Sequence, residues 1–131
     1  MIKNVVTVER DISLQRAIEV LYEKHVGSIV VIDEEKNCEG IFTTRDAIRA
    51  IAGKIDLQTP ICDVMSRNVV TIGEDASFAH AKALMIKNKI RHLPVKNKKD
   101  KIVGIVTIRH IIDDLIGFPT VRNPSKGSSA V

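Results

Sequence analysis

Gly40-Ile41-Phe42-Thr43-Thr44-Arg45-Asp46 returns further along the chain as Gly104-Ile105-Val106-Thr107-Ile108-Arg109-His110, and the interval between the two stretches decides the architecture. A shift of 64 positions, Gly40 onto Gly104, carries the rest of each half into register without a gap. Val5-Val6-Thr7 falls on Val69-Val70-Thr71, Asp11 and Ser13 on Asp75 and Ser77, Ala17 on Ala81, and Val31 on Val95. Positions that differ mostly exchange one apolar residue for another, as Val8 does with Ile72 and Phe42 with Val106. A repeat of this kind means two copies of one supersecondary unit.

Each copy reads as β-α-β-β-α. The β-branched run Val5–Val8 predicts a strand. Asp11 or Ser13 is placed to cap a helix on which Leu14, Ala17, Ile18, Leu21 and His25 recur at helical spacing, with Gly27 as its stop. Ser28–Ile32 is almost wholly apolar, as a strand buried on both faces would be. A polar turn at 33–37 leads to a third strand at 39–43, and a second helix runs from Arg45 to Ala52 and closes at Gly53. The first crossover must join parallel strands. The second copy repeats this order from Val69 to Ile116 and closes at Gly117. The expected organisation is repeat 1 over 1–53, a linker and lead-in turn over 54–68 with Pro60 opening a helical turn, repeat 2 over 69–117, and a mobile tail over 118–131.

Composition narrows the function. The chain has 131 residues, 44% of them hydrophobic and 27% charged, which is globular rather than disordered. No run approaches the roughly 18 apolar residues of a membrane span, and Met1-Ile2-Lys3-Asn4 has no signal-peptide h-region, so a soluble cytoplasmic protein is expected. Cys38 and Cys62 lack metal-ligand spacing and read as reduced thiols, and no metal site is expected. With no tryptophan, one tyrosine and three phenylalanines, stacking platforms for single-stranded nucleic acid are lacking. The two halves differ in charge: residues 5–48 hold five Lys/Arg against nine Asp/Glu, residues 69–112 nine against three. Much of that excess sits in the turn Lys96-Asn97-Lys98-Lys99-Asp100-Lys101, either a solvated turn or a surface for phosphorylated ligands or an acidic partner half.

The duplicated β-α-β-β-α unit, the lead-in Asp63-Val64-Met65, Leu93-Pro94-Val95 on the middle strand and the Gly-x-x-Thr-x-x-Asp ending together resemble a tandem pair of CBS (cystathionine-β-synthase) domains, a Bateman module. The resemblance covers residues 1 to about 117 and implies an α/β (α+β-type) fold with the two repeats packed sheet to sheet about a pseudo-twofold axis. It also implies two clefts that take adenosyl compounds: AMP, ADP, ATP, S-adenosylmethionine or NAD. The aspartate of the ending would hold the ribose, and the threonine would reach ribose or phosphate.

Elementary chemistry agrees with those roles. A carboxylate is an acceptor with two oxygens and can take both vicinal ribose hydroxyls. A threonine where a strand hands over to a helix stands beside free N–H groups that favour phosphate. One cleft is therefore expected to combine Thr43, Arg45 and Asp46 with Ile90, Arg91, His92 and Pro94 of the other copy. Arg91 suits bidentate phosphate binding. The second cleft, pairing Gly27 and Ser28 with Thr107, Arg109 and His110, is expected to be weaker, because the imidazole of His110 cannot copy the carboxylate. Thr43 and Asp46 have a plainer alternative as a helix cap and first-turn acid, Arg91 as half of a surface ion pair, and His92 as a structural histidine. His25 and His80 read as helix-face residues, Met65 and Met85 as core.

No nucleophile–base pair or acid pair is apparent, so no catalytic residue is assigned and a regulatory module is expected rather than an enzyme. It would bind its adenosyl ligand and signal to a protein partner. Apolar positions on Ala47-Ile48-x-x-Ile51 and Ile111-Ile112-x-x-Leu115-Ile116 point to a homodimer. The alternatives are a nucleic-acid-binding protein using the basic second repeat and an assembly scaffold with vestigial clefts.

Overall fold

The computed structural model describes residues 5–108, and their elements recur at the interval read from the sequence. Strand β1 is Thr7–Glu9, helix α1 Leu14–Lys24, β2 Ser28–Ile32, β3 Cys38–Thr43 and α2 Thr44–Ala52. The second copy supplies β4 Ile72–Gly73, α3 Phe78–Asn88, β5 His92–Lys96 and β6 Ile102–Thr107. The expected last helix, Arg109 and His110, and the tail lie outside the described residues. The described residues divide into two units, one built from Val5–Val69 with Asp100–Ile102, the other from Val70–Lys99 with residues 103–108. The fold is α/β, with two three-stranded sheets ordered β1-β2-β3 and β4-β5-β6. As the crossover requires, β1 lies parallel to β2 (Thr7 opposite Val30), while β3 returns antiparallel, Ser28 opposite Thr43.

The helix termini repeat atom for atom. Ser13 Oγ accepts the Arg16 N–H at 3.0 Å, and Ser77 Oγ the His80 N–H at 3.1 Å. The C-termini correct the expected stop at Gly27. The left-handed residue is His25 (φ 55°), and its counterpart is Lys89 (φ 56°). Val26 N–H reaches back to the Leu21 carbonyl and His25 N–H to Tyr22, and Ile90 and Lys89 do the same to Met85 and Ile86. This is a Schellman ending, which places an apolar residue just past the left-handed one against the helix's last turn. Val26 and Ile90 are those residues, and both pack on their cores. The apolar stripe of α1 accordingly runs Leu14, Ala17, Val20 and Leu21, with His25 exposed.

The first core joins that stripe to Ile29, Val31, Phe42, Ala47 and Ala50, and it also takes Ile61 and Met65 from the stretch between the repeats. A short 3₁₀ turn at Ile61–Asp63 and an antiparallel bridge between Ile41 and Ser66 fix that stretch on the first unit. Burial of Ile61 alone stabilises by roughly 1.5–3 kcal/mol. The second core contains Ile72, Ala81, Met85, Leu93, Val95 and Val106.

One strand differs for a covalent reason. In β2 the Val30 N–H donates to the Val6 carbonyl at 3.0 Å. Its counterpart is Pro94, which has no N–H to give. The β4–β5 ladder therefore begins only at Ile72, opposite Val95, one rung later than its partner sheet.

Candidate ligand-binding site

The strand-to-helix junction at Thr43 is held by several side-chain hydrogen bonds. Thr43 is the N-cap of α2, with its Oγ1 accepting the Asp46 N–H at 3.2 Å, and Asp46 Oδ2 accepts both the Thr43 N–H at 2.9 Å and the Thr43 hydroxyl at 3.1 Å. This reciprocal capping box satisfies two helix-terminal donors. The other oxygen, Oδ1, accepts from Arg49 at 3.2 Å. The Asp46 side chain is only 11% exposed, whereas Arg49 is 69% exposed, so this ion pair is screened and worth ~0–1 kcal/mol. The plainer reading of Thr43 and Asp46 as a cap is thus realised, and the same bonds hold the carboxylate in one orientation with lone pairs on Oδ1 remaining. Arg45 projects from the first turn, exposed and without an ion pair among the described residues.

Within the same unit Gly27 and Ser28 adjoin this junction. The Thr44 N–H donates to the Gly27 carbonyl at 3.0 Å, and Ser28 is buried opposite Thr43. The second unit repeats the contact: Ile108 N–H donates to the Arg91 carbonyl at 3.0 Å. Arg91, His92 and Thr107 are therefore neighbours, as Gly27, Ser28 and Thr43 are. Arg91 is exposed and makes no ion pair among the described residues; His92 is half-buried, and Leu93 and Pro94 are buried. Ile90 serves as the apolar residue of the α3 ending. Arg109 and His110, expected in the weaker second cleft, lie outside the described residues.

Sequence reasoning missed Arg49, although a cation three residues after Asp46 on a helix is a legible signal. It also missed that Lys101 is held: its Nζ donates to the Glu35 carbonyl at 2.7 Å and to Asn37 Oδ1 at 3.0 Å, so this lysine of the basic turn is engaged while Lys98 and Lys99 are exposed. No group of three or more His, Cys, Asp or Glu among the described residues is close enough to hold a metal ion. Nor is any helix among them long and apolar enough to cross a membrane.

The CBS domain model matches residues 1–53 and again 61–117. The chain belongs to the CBS domain family. It is 31% identical over 118 residues to an uncharacterized 17.7 kDa protein from the bps2 3' region of Acidianus ambivalens, covering 90% of this chain and 71% of that one. It is 34% identical over 127 residues to the inosine-5'-monophosphate dehydrogenase of Methanocaldococcus jannaschii, covering 97% of this chain but 25% of the enzyme. The match to that enzyme is thus confined to about a quarter of its length. Among solved structures, the CBS-domain protein ATU1752 of Agrobacterium tumefaciens superposes with a TM-score of 0.80 at 30% identity, covering 86% of this chain and 90% of that one. The CBS domain pair of protein MJ0100, in complex with 5'-methylthioadenosine and S-adenosyl-L-methionine, superposes with a TM-score of 0.79 at 31% identity, covering 88% and 90%.

Proposed function

We propose that this CBS pair is a regulatory module that binds an adenosyl ligand and passes its occupancy to a protein partner. The observation that carries the reading is the likeness to the MJ0100 pair, which binds two adenosyl compounds and matches this chain over nearly its whole described length. The Thr43–Asp46 junction supports it chemically. Asp46 is a pre-oriented carboxylate whose Oδ1 is held, among the described residues, by an exposed arginine. A ribose hydroxyl donating to that oxygen would displace Arg49 at little cost and leave the cap intact.

In this reading Thr43, Arg45 and Asp46 serve one ligand together with Ile90, Arg91, His92 and Pro94, and the unpaired Arg45 and Arg91 take its anionic end. Gly27, Ser28, Thr107, Arg109 and His110 form a weaker cleft. The module is non-catalytic, cytoplasmic and homodimeric, the dimer using Ile48 and Ile51 of α2, which are 69% and 58% exposed. Regulation follows if free and bound forms differ in affinity for the partner.

The test is a thermal-shift screen of AMP, ADP, ATP, S-adenosylmethionine, 5'-methylthioadenosine and NAD, followed by calorimetry of the best. A ligand at a hundredfold excess over Kd adds about 2.7 kcal/mol, which for a chain of this size raises Tm by about 10 °C. No shift with any adenosyl compound at millimolar concentration would end the proposal.

A further inference from the structure

The two oxygens of Asp46 are not equivalent. Oδ2 accepts the Thr43 N–H at 2.9 Å and the Thr43 hydroxyl at 3.1 Å, so it is committed to the cap. Oδ1 accepts from Nη1 of Arg49 at 3.2 Å. The oxygen left to offer a ligand is therefore the one that a cation of the same helix already holds. Its donor is solvent-exposed, whereas the carboxylate is nearly buried and fixed by the cap.

A second cation stands close by. Arg45 lies four residues before Arg49 on α2, exposed and without an ion pair among the described residues. Residues four apart share a helix face, so a guanidinium released from Asp46 joins another on that face. The arrangement is particular to the first copy. The shift of 64 sets His110 on Asp46 and Asp113 on Arg49, so the order of acid and then arginine does not recur, although Arg45 keeps a counterpart in Arg109.

Building on the adenosyl-binding reading above, we propose that Arg49 is a specificity-determining residue. It competes with the ribose for Asp46 Oδ1 and makes the site favour anionic adenosyl ligands over neutral ones. A neutral nucleoside must break the ion pair and offers nothing to the released guanidinium. Its apparent affinity is the intrinsic affinity reduced by the fraction of molecules in which Oδ1 is free. For an exposed pair that reduction reaches about fivefold. A ligand with a phosphate on the same ribose meets the same competition but returns an anion to Arg49 and Arg45, and a guanidinium binds phosphate in bidentate fashion. S-adenosylmethionine, with a sulfonium cation in place of the phosphate, gains nothing from the released arginine.

Salt should act on the neutral ligand through the ion pair. The Debye length falls from about 30 Å at 0.01 M to about 3 Å at 1 M, so the competition fades as salt rises.

Calorimetry of the full chain and of Arg49→Gln with adenosine and with AMP tests this, since the two ligands share base and ribose and differ in the phosphate. At low salt Arg49→Gln should bind adenosine about two- to fivefold more tightly than the parent does. It should bind AMP no more tightly, so the preference for AMP over adenosine shrinks by at least that factor. A general loosening of the fold would instead weaken both ligands. At 1 M salt the parent and Arg49→Gln should bind adenosine alike. Arg49→Lys keeps the charge and should stay closer to the parent than to Arg49→Gln. The same ratio of AMP to adenosine affinity in the parent and Arg49→Gln would overturn the role of Arg49 and leave the adenosyl reading standing. No binding of either ligand to either protein at millimolar concentration would overturn both.

Discussion

Replacing Asp46 separates two roles that one carboxylate performs at once. Asp46→Ala removes the acceptor of the Thr43 N–H and hydroxyl and the partner of Arg49. Loss of a cap of this kind costs about 0.5–2 kcal/mol, and loss of a negative charge from the first turn of α2 a further ~0.3–1 kcal/mol. The exposed Arg49 pair adds little. The sum, about 1–3 kcal/mol, corresponds for 131 residues to a Tm lowered by about 4–10 °C. Asp46→Asn is the discriminating variant. Its amide oxygen still accepts the Thr43 N–H, so Tm should fall by less than half as much. The amide leaves one acceptor oxygen and no charge, so one charge-assisted bond to ribose is lost, about 1.5–3 kcal/mol and at least tenfold in affinity. Thermal melts in the absence of ligand and calorimetry with the best adenosyl compound supply the two readouts. Parent-like affinity in Asp46→Asn would reduce Asp46 to a cap. Parent-like Tm in Asp46→Ala would refute the capping energetics as well.

Gly40→Ala should destabilise by about 1–3 kcal/mol in a denaturant titration, because a Cβ there would meet Met65 Sδ at 2.5 Å and the Ser66 carbonyl at 2.8 Å, and that carbonyl is pinned by the Ile41 N–H. Asp33 accepts the Glu35 and Asn37 N–H groups at 2.9 and 2.8 Å, and Asn37's N–H above all holds its pKa below the usual 3.8. A depressed folded-state pKa stabilises above the unfolded value and is lost as pH falls through the folded one, so the stability gap between parent and Asp33→Ala should be constant at neutral pH and shrink below about pH 4. Light scattering at micromolar concentration should find a dimer in the parent chain and a monomer in Ile48→Lys/Ile51→Lys, since both side chains are exposed on α2. A monomeric parent would remove the dimer.

The repeat was legible because both copies must solve one packing problem, and the solution leaves marks at the same offset. Ser13 and Ser77 cap, Ala17 and Ala81 admit the sheet, and Thr43 with Asp46 spells a capping box. The helix stop was misread because a glycine was in view. His25 and Lys89 pay the small left-handed cost instead, since Val26 and Ile90 gain burial by it. The role of residues 57–66 was hidden for another reason. Nothing in Leu57-Gln58-Thr59-Pro60 is periodic, and besides burying Ile61 and Met65 the stretch contributes backbone pairing with Arg10, Ile12, Leu14, Gln15 and Ile41, which composition does not encode. At the candidate site the cap formed by Thr43 and Asp46 was legible, but the Arg49 bond was not read, because it depends on which side chains meet along the formed α2.

The differences between the copies fall at the ends of their strands, where a shared scaffold can vary without losing its core. Val30 gives an N–H to Val6, whereas Pro94 cannot give one to Val70, so the second sheet loses its first rung while Leu93 and Val95 on either side stay as buried as Ile29 and Val31. A buried carbonyl left in that position costs free energy unless something donates to it. The loss is tolerable because Val70 is only half-buried and water can reach its strand end.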